Sequence, residues 1–195
     1  MARTILKDKT ALVAGADNPA GRAAALQFAR AGMRILLVGD DEQAVVRLAD
    51  AIIKKDGEAA ELPLARNEAE LAAELRAARD AIGHVHVAVN CYAFSAGEGS
   101  PEWALAFQRV LEPLLAERSF TRHLLVMPHG ADAPDTPEGV WRCVVQPGAP
   151  VAAEGSEGLR AGALADALVF LAQIPPSARP TRVLLDPFHG GDHGD

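Results

Sequence analysis

Apolar residues recur along this chain in two alternating rhythms: short continuous runs, and longer stripes with a period near 3.6. The first run, Thr10 to Ala14, passes through Gly15-Ala16-Asp17-Asn18-Pro19-Ala20-Gly21 into an alanine-rich segment that continues to Gly32, which predicts a strand, a tight turn and a helix. Ile35 to Val38 is the next buried run, and Val45, Leu48, Ala49 and Ile52 then share one helical face, with Gly57 as the stop. Glu58 to Leu64 reads as a weaker strand, Leu71, Leu75, Ala78 and Ile82 as a helix stripe ending at Gly83, and Val85 to Asn90 as a fourth strand. Ser100 and Pro101 supply a cap and a first-turn proline for a helix reaching Arg118, striped by Trp103, Phe107, Val110, Leu111 and Leu114. Strands at His123 to Met127 and Val140 to Val145, a helix from Leu159 to Ala172 and a last strand at Arg182 to Leu185 complete the series.

Strict alternation with near-continuous apolar strands predicts an α/β fold, a single doubly wound parallel sheet of about seven strands covered on both faces. One interval breaks the pattern. Between the fifth and sixth strands lies only Pro128 to Gly139, rich in Pro, Gly and Asp and too short for a normal helix. Parallel neighbours need a crossover of a dozen or more residues, usually helical, so this link is either a bare loop crossover or a sign that one strand pairs differently. The 39 alanines gather in the helical segments, which permits close packing of helix on sheet.

The 195 residues suit one domain, assigned to 1–188, with 189–195 as a flexible polar tail. An apolar share of 49% and a charged share of 23% exclude disordered, collagenous and disulfide-scaffold classes. A formal net charge of -7 argues against nucleic acid and anionic membrane as partners. The N-terminal residues lack the apolar core of a signal peptide and no apolar run reaches a membrane span, so the expected location is cytoplasmic. Cys91 and Cys143 lack metal-ligand spacing and are expected to be small buried hydrophobes. The histidines of the tail, His189 and His193, are separated by glycines that leave them unfixed, and no metal site is expected.

The glycine turn after the first strand, the Val87-Ala88-Val89-Asn90 strand end and the segment Val144-Val145-Gln146-Pro147-Gly148 stand in an order and spacing that resemble the short-chain dehydrogenase/reductase family over nearly the whole chain. The resemblance implies a Rossmann-like sheet and a nicotinamide dinucleotide at the glycine turn. Where the family carries TGxxxGxG, this chain has Ala14-Gly15-Ala16-Asp17-Asn18-Pro19-Ala20-Gly21. Where it has NNAG, this chain has Asn90-Cys91-Tyr92-Ala93; the helix bearing YxxxK is missing between strands five and six. The cofactor-binding positions carried over are Gly15, Asp17, Asn18, Gly21, Asp40 and Asn90. Pro19 fills the place of the middle glycine and removes an N–H, so Gly15 and Gly21 serve either a pyrophosphate or only the turn and its packing. Asp40 and Asp41 after the second strand are either ribose ligands or helix N-terminal acids. Being acidic, they disfavour NADP, and the expected cofactor is NAD or none.

The family's chemistry requires a Tyr acid/base, a Lys four residues on, a Ser and an Asn. The sequence holds one tyrosine, Tyr92, four lysines, Lys7, Lys9, Lys54 and Lys55, and no YxxxK anywhere. His129 stands where the Ser belongs, and His129 with Tyr92 forms the one substitute pair in reach. The resulting expectation is a family-like protein without the catalytic tetrad. It would be a non-catalytic subunit or binding partner, homo-oligomeric or hetero-oligomeric with a full-length relative. The alternatives are an NAD-dependent oxidoreductase with a nonstandard site and an NAD-sensing regulator.

Overall fold

The structure, a computed structural model, describes residues 5–62, 67–94, 101–116, 121–128, 130–133, 135–136, 140–148, 151–152, 159–178 and 180–186. The chain runs β1 (Thr10–Ala14), α1 (Pro19–Arg30), β2 (Arg34–Val38), α2 (Glu42–Ile53), β3 (Glu58–Glu61), α3 (Glu68–Ile82) and β4 (Val87–Asn90). After a 3-10 turn at Tyr92–Phe94 come α4 (Pro101–Ala116), β5 (Arg122–Val126), β6 (Arg142–Pro147), the two-residue strands β7 (Val151–Ala152) and β8 (Leu159–Arg160), α5 (Ala161–Gln173) and β9 (Arg182–Leu185). Seven strands form one parallel sheet in the order β3-β2-β1-β4-β5-β6-β9, as the alternating pattern predicts. The strand order reverses between β1 and β4, which makes that junction the sheet's topological switch point.

Strand alternation divides the sheet into two faces. Ala11, Val13, Ile35, Leu37, Val87, Val89, Leu124, Val126, Cys143 and Val145 pack with the apolar stripes of α1, α2 and α5. Leu12, Ala14, Leu36, Val38 and Ala88 face α3 and α4 through Leu71, Leu75, Phe107 and Leu111. On the first face α5 lies along α1, and Gln27 Nε2 donates to Asp166 Oδ1 across 139 residues of sequence.

Several boundaries differ from the sequence expectation, each for a local reason. The helix expected from Leu159 starts at Ala161, because Leu159 and Arg160 pair in parallel with Val151 and Ala152 as a separate small ribbon. The strand expected at Val140 starts at Arg142 and runs on to Pro147, which tolerates its missing N–H as the last residue of the ladder. Val85 stands before β4, its carbonyl accepting from Thr121 Oγ1 at 2.8 Å. The strand expected to Leu64 is described only to Glu61. At the end of α2 the left-handed residue is Asp56 (φ +60°), not Gly57. Gly57 is required instead by close approach, since an added Cβ would lie 2.7 Å from Ile52 Cγ2. The tail 189–195 lies outside the described residues.

The short link is a bare crossover: β5 and β6 are parallel neighbours, with His123 opposite Arg142 and Val126 opposite Val145, and among the described residues no helix lies between them. A loop crossing a sheet must find partners for its own backbone groups. Two side chains on that face of β6 supply them. Gln146 Nε2 donates to the carbonyls of Pro128 (3.3 Å) and Ala131 (2.9 Å), and Arg142 Nη2 donates to that of Asp135 (3.2 Å). Ala131 and Ala133 then cover Leu125, Met127 and Val144.

Arg142 also makes a bidentate ion pair with Glu112 of α4, at 2.5 and 2.6 Å, with the two side chains 1% and 2% exposed. Gln108 Nε2 donates to the same carboxylate at 2.8 Å and Gln108 Oε1 accepts from Asn90 Nδ2 at 3.1 Å, so a polar chain runs from β4 through α4 to β6. Replacing Arg142 by Met would strand a buried carboxylate and is expected to cost about 3–5 kcal/mol. The double replacement with Glu112→Leu should cost less than that single one. Urea unfolding of both variants checks this; a double mutant as unstable as the sum of the singles would show that the charges are not coupled.

Candidate functional site

Ligands of open α/β sheets bind beyond the carboxyl ends of the strands at the switch point. All six expected cofactor positions lie along that edge, at the ends of β2, β1 and β4. Gly15, at φ +72°, follows β1 directly; an added Cβ would stand 2.7 Å from Asn18 Nδ2 and 2.9 Å from the Cys91 carbonyl carbon. Gly21 is tighter still, its added Cβ falling 2.0 Å from the Gly15 oxygen, so helix α1 rests on the turn with no room for a methyl.

Asn18 is the N-cap of α1. Its Oδ1 accepts from Gly21 N at 2.9 Å and its Nδ2 donates to the Cys91 carbonyl at 2.9 Å, which ties the β1 turn to the end of β4 across the switch point. Pro19 at the first helical position has no N–H to offer. A pyrophosphate on this turn would be held by first-turn N–H groups, but that of Gly21 is spent on Asn18 and that of residue 19 does not exist. As folded, the turn fits a pyrophosphate poorly.

Asn90 is 1% exposed and fully engaged inward, its Oδ1 accepting from Tyr92 N at 3.1 Å while its amide donates to Gln108. Tyr92 is also 1% exposed, its ring edge-on to Phe107 with centroids 5.3 Å apart, so it packs in the core beneath α4. His129 lies outside the described residues. Asp17 and Asp40 come together at the end of β2: Asp17 Oδ2 accepts from the N–H groups of Asp40 and Asp41, and Asp41 caps α2 by accepting from Ala44 N at 3.0 Å. Burial, with Asp17's charge beside it, raises the Asp40 carboxyl above its usual range. The thiol of Cys91, at the middle of this edge, is pushed up to about 12 by burial and that of Cys143 to about 11, so neither is a nucleophile near neutral pH.

The sequence pattern assigns no role to the side chains of Gln108, Glu112, Arg142 and Gln146. Their signal was present: Arg142 and Gln146 alternate with Cys143 and Val145 inside a buried strand, and Gln108 and Glu112 stand four apart beside the apolar Phe107 and Leu111. The rings of His84 and His86, two residues apart before β4, meet edge-on with centroids 4.6 Å apart. His86 Nδ1 accepts from Thr10 N at 3.1 Å, which binds the first residue of β1.

A parallel sheet with a glycine turn at its switch point is the architecture of the dinucleotide-binding class. More narrowly, this is the fold of the short-chain dehydrogenase/reductases. A metagenomic short-chain oxidoreductase in complex with NADP superposes with a TM-score of 0.72 at 18% identity, covering 93% of this chain and 98% of that one. A 7α-hydroxysteroid dehydrogenase complexed with NADH and 7-oxo glycochenodeoxycholic acid gives 0.71 at 17%, covering 97% and 96%. A β-ketoacyl-[ACP] reductase from Bacteroides thetaiotaomicron gives 0.73 at 14%, covering 92% and 97%. At these identities the likeness establishes the fold. No protein-family model matches the sequence, and no curated protein matches it either.

One buried histidine, His123, and one half-buried, His86, oppose protonation in the folded state. Burial lowers both His86 and His123 from 6.5 to about 4. The charges of His84, Lys9 and Arg34 add to the effect at His86; at His123, Glu112 opposes it and Arg142 adds to it. The folded state holds each ring neutral while the unfolded chain takes a proton near pH 6.5, so their stabilisation is complete above that pH and is lost as pH falls toward 4. Thermal unfolding followed from pH 7 to 4.5 should show a falling midpoint, with a shallower slope in His86→Gln and in His123→Gln; equal slopes in all three proteins would contradict the assignment. Gly21→Ala, by forcing its methyl into the Gly15 carbonyl, should destabilise by about 1–3 kcal/mol in the same assay.

Proposed function

We propose that this chain is a non-catalytic protein on the short-chain dehydrogenase/reductase fold, acting as a subunit or binding partner in an oligomer of itself or of a full-length relative. The observation that carries this reading is the place of its only tyrosine: Tyr92 is buried against Phe107 after β4, and Ala96, not a lysine, stands four residues on. The family's Tyr-xxx-Lys helix belongs between β5 and β6, where this chain has its short crossover. A carbonyl reduction with a nicotinamide needs an acid to protonate the oxygen as the hydride arrives. Arg142 and Gln146, which occupy that face of the sheet, are committed to holding the crossover.

Support for the partner role comes from the surface. In the family, the helix equivalent to α4 and the missing helix together build the main dimer interface, so the missing helix leaves α4's flank to a different cover. Phe170 on α5 and Leu184 on the edge strand β9 are 66% and 49% exposed, both large apolar groups that association would bury. Light scattering after size exclusion is expected to give a dimer or larger, or a complex with a full-length relative. A stable monomer that captures no such relative overturns the reading.

A second reading, an NAD-binding regulator without chemistry, is favoured by the acidic pair Asp40 and Asp41 just after β2, where the family resemblance implies a ribose ligand. It predicts stabilisation by NAD or NADH of about 2.7 kcal/mol at a hundred times Kd, without turnover. Thermal titration with NAD, NADH, NADP and NADPH separates the two, since the partner reading expects no shift with any of them. Turnover abolished by His129→Ala would instead establish an oxidoreductase with a nonstandard site.

A further inference from the structure

The amino edge of the sheet, at the opposite ends of the strands from the glycine turn, carries a cleft of about 430 Å³ where the chain enters β1, β2 and β3. A volume of that order holds a small organic molecule. Ala29 and the buried Met33 give it an apolar lining. Its charged lining is of both signs, Lys7 and Arg34 against Asp8, Asp56 and Glu58. These charges do not neutralise one another. Arg34 and Glu58 stand in register on β2 and β3, yet among the described residues no ion pair involves any of the five. Arg34 Nη2 donates instead to the Asp8 carbonyl, at 3.5 Å, which leaves its charge unopposed.

The backbone around the cleft is unusual as well. Asp8 (φ +62°) and Asp56 (φ +60°) are the left-handed residues other than glycine among those described, and both line it. Glycine takes that conformation without strain, so the backbone alone does not call for an acid at either position. Lys7 is laid in place by its stem, which crosses Gly32 so closely that an added Cβ would lie 3.3 Å from Lys7 Cγ. Helices α1 and α2 both end at this edge, and the negative ends of their dipoles favour a cation beside the three acids. A ligand that answers the whole lining carries an anion and a cation on one short frame, with an apolar group for Ala29 and Met33.

We infer that this cleft binds a free α-amino acid with an apolar side chain, its carboxylate toward Lys7 and Arg34 and its ammonium toward Asp8, Asp56 and Glu58. The site is independent of whether the chain is catalytic or takes a nicotinamide, so its failure leaves those readings where they stand. Exposed ion pairs each contribute little, and the affinity expected is modest, with a dissociation constant on the order of 1 mM.

The test uses L-leucine as the probe and the amide signals of Gly32 and Gly57, which line the cleft, in proton–nitrogen correlation spectra as the readout. Both signals should move together as L-leucine is added. Isocaproate, which lacks the amine, isoamylamine, which lacks the carboxylate, and free glycine, which lacks the apolar group, should each bind about tenfold more weakly. Asp56→Asn, whose side chain tolerates the left-handed backbone, and Arg34→Gln should each weaken L-leucine about threefold. Signals that stay in place up to about 20 mM L-leucine overturn the inference. Isoamylamine or isocaproate binding as tightly as L-leucine also overturns it, because the cleft then takes a simple ion. Variants that bind L-leucine as the wild type does put the amino acid elsewhere and overturn it too. Lys7→Gln makes the same measurement if Arg34→Gln does not fold.

Discussion

A buried charge must meet its counter-charge, and in this protein one such meeting, Arg142 with Glu112, fixes where three parts of the chain lie. It joins the first residue of β6 to the C-terminal half of α4 and, through the Asp135 carbonyl, to the crossover between β5 and β6. A helical crossover satisfies its own backbone and covers the sheet with side chains. A bare one does neither, so donors must rise from the sheet to meet it. The face of β5 and β6 under the crossover is accordingly polar at His123, Arg142 and Gln146, whereas the opposite face of the same strands is Leu124, Val126, Cys143 and Val145. The composition of the core beneath the crossover thus follows the donors that the crossover needs.

The fold was legible because the signals that encode it are local and repeated. Each apolar run maps to a strand, each stripe to a helix, and the parallel order follows from their alternation. Boundaries were less legible. Leu159 continues the stripe of α5 in sequence yet pairs with Val151, a contact that no local pattern announces. The polar chain was hidden for a related reason: Gln108 and Glu112 look like solvent-facing residues of an amphipathic helix, and only the distant Arg142 makes the inward rotamer favourable. Of the candidate site, the glycines and Asn18 lie on the edge because they follow β1 directly, while the inward commitment of Asn90 and Tyr92 depends on α4 packing over them.

At the carboxyl edge of the sheet several backbone groups are turned inward to partners in the chain itself. Gly21 N serves Asn18, the Cys91 carbonyl serves Asn18, and the amides of Asp40 and Asp41 serve Asp17. Each of these bonds stitches a loop to its neighbour. Such an edge holds together without a ligand, because its backbone groups already have partners inside the chain.

The packing of α5 along α1 has a consequence for the order in which the molecule can be completed. The small residues of α1, Ala20, Ala24 and Ala25 with Phe28, are buried on a face that includes Leu164, Leu168 and Leu171, which lie more than a hundred residues later in the chain. On a ribosome, α1 emerges well before α5, and the side of it that meets α5 stays open until Leu164, Leu168 and Leu171 follow. During that interval the nascent chain carries an unsheltered greasy flank, the part of this protein that a chaperone would be expected to hold.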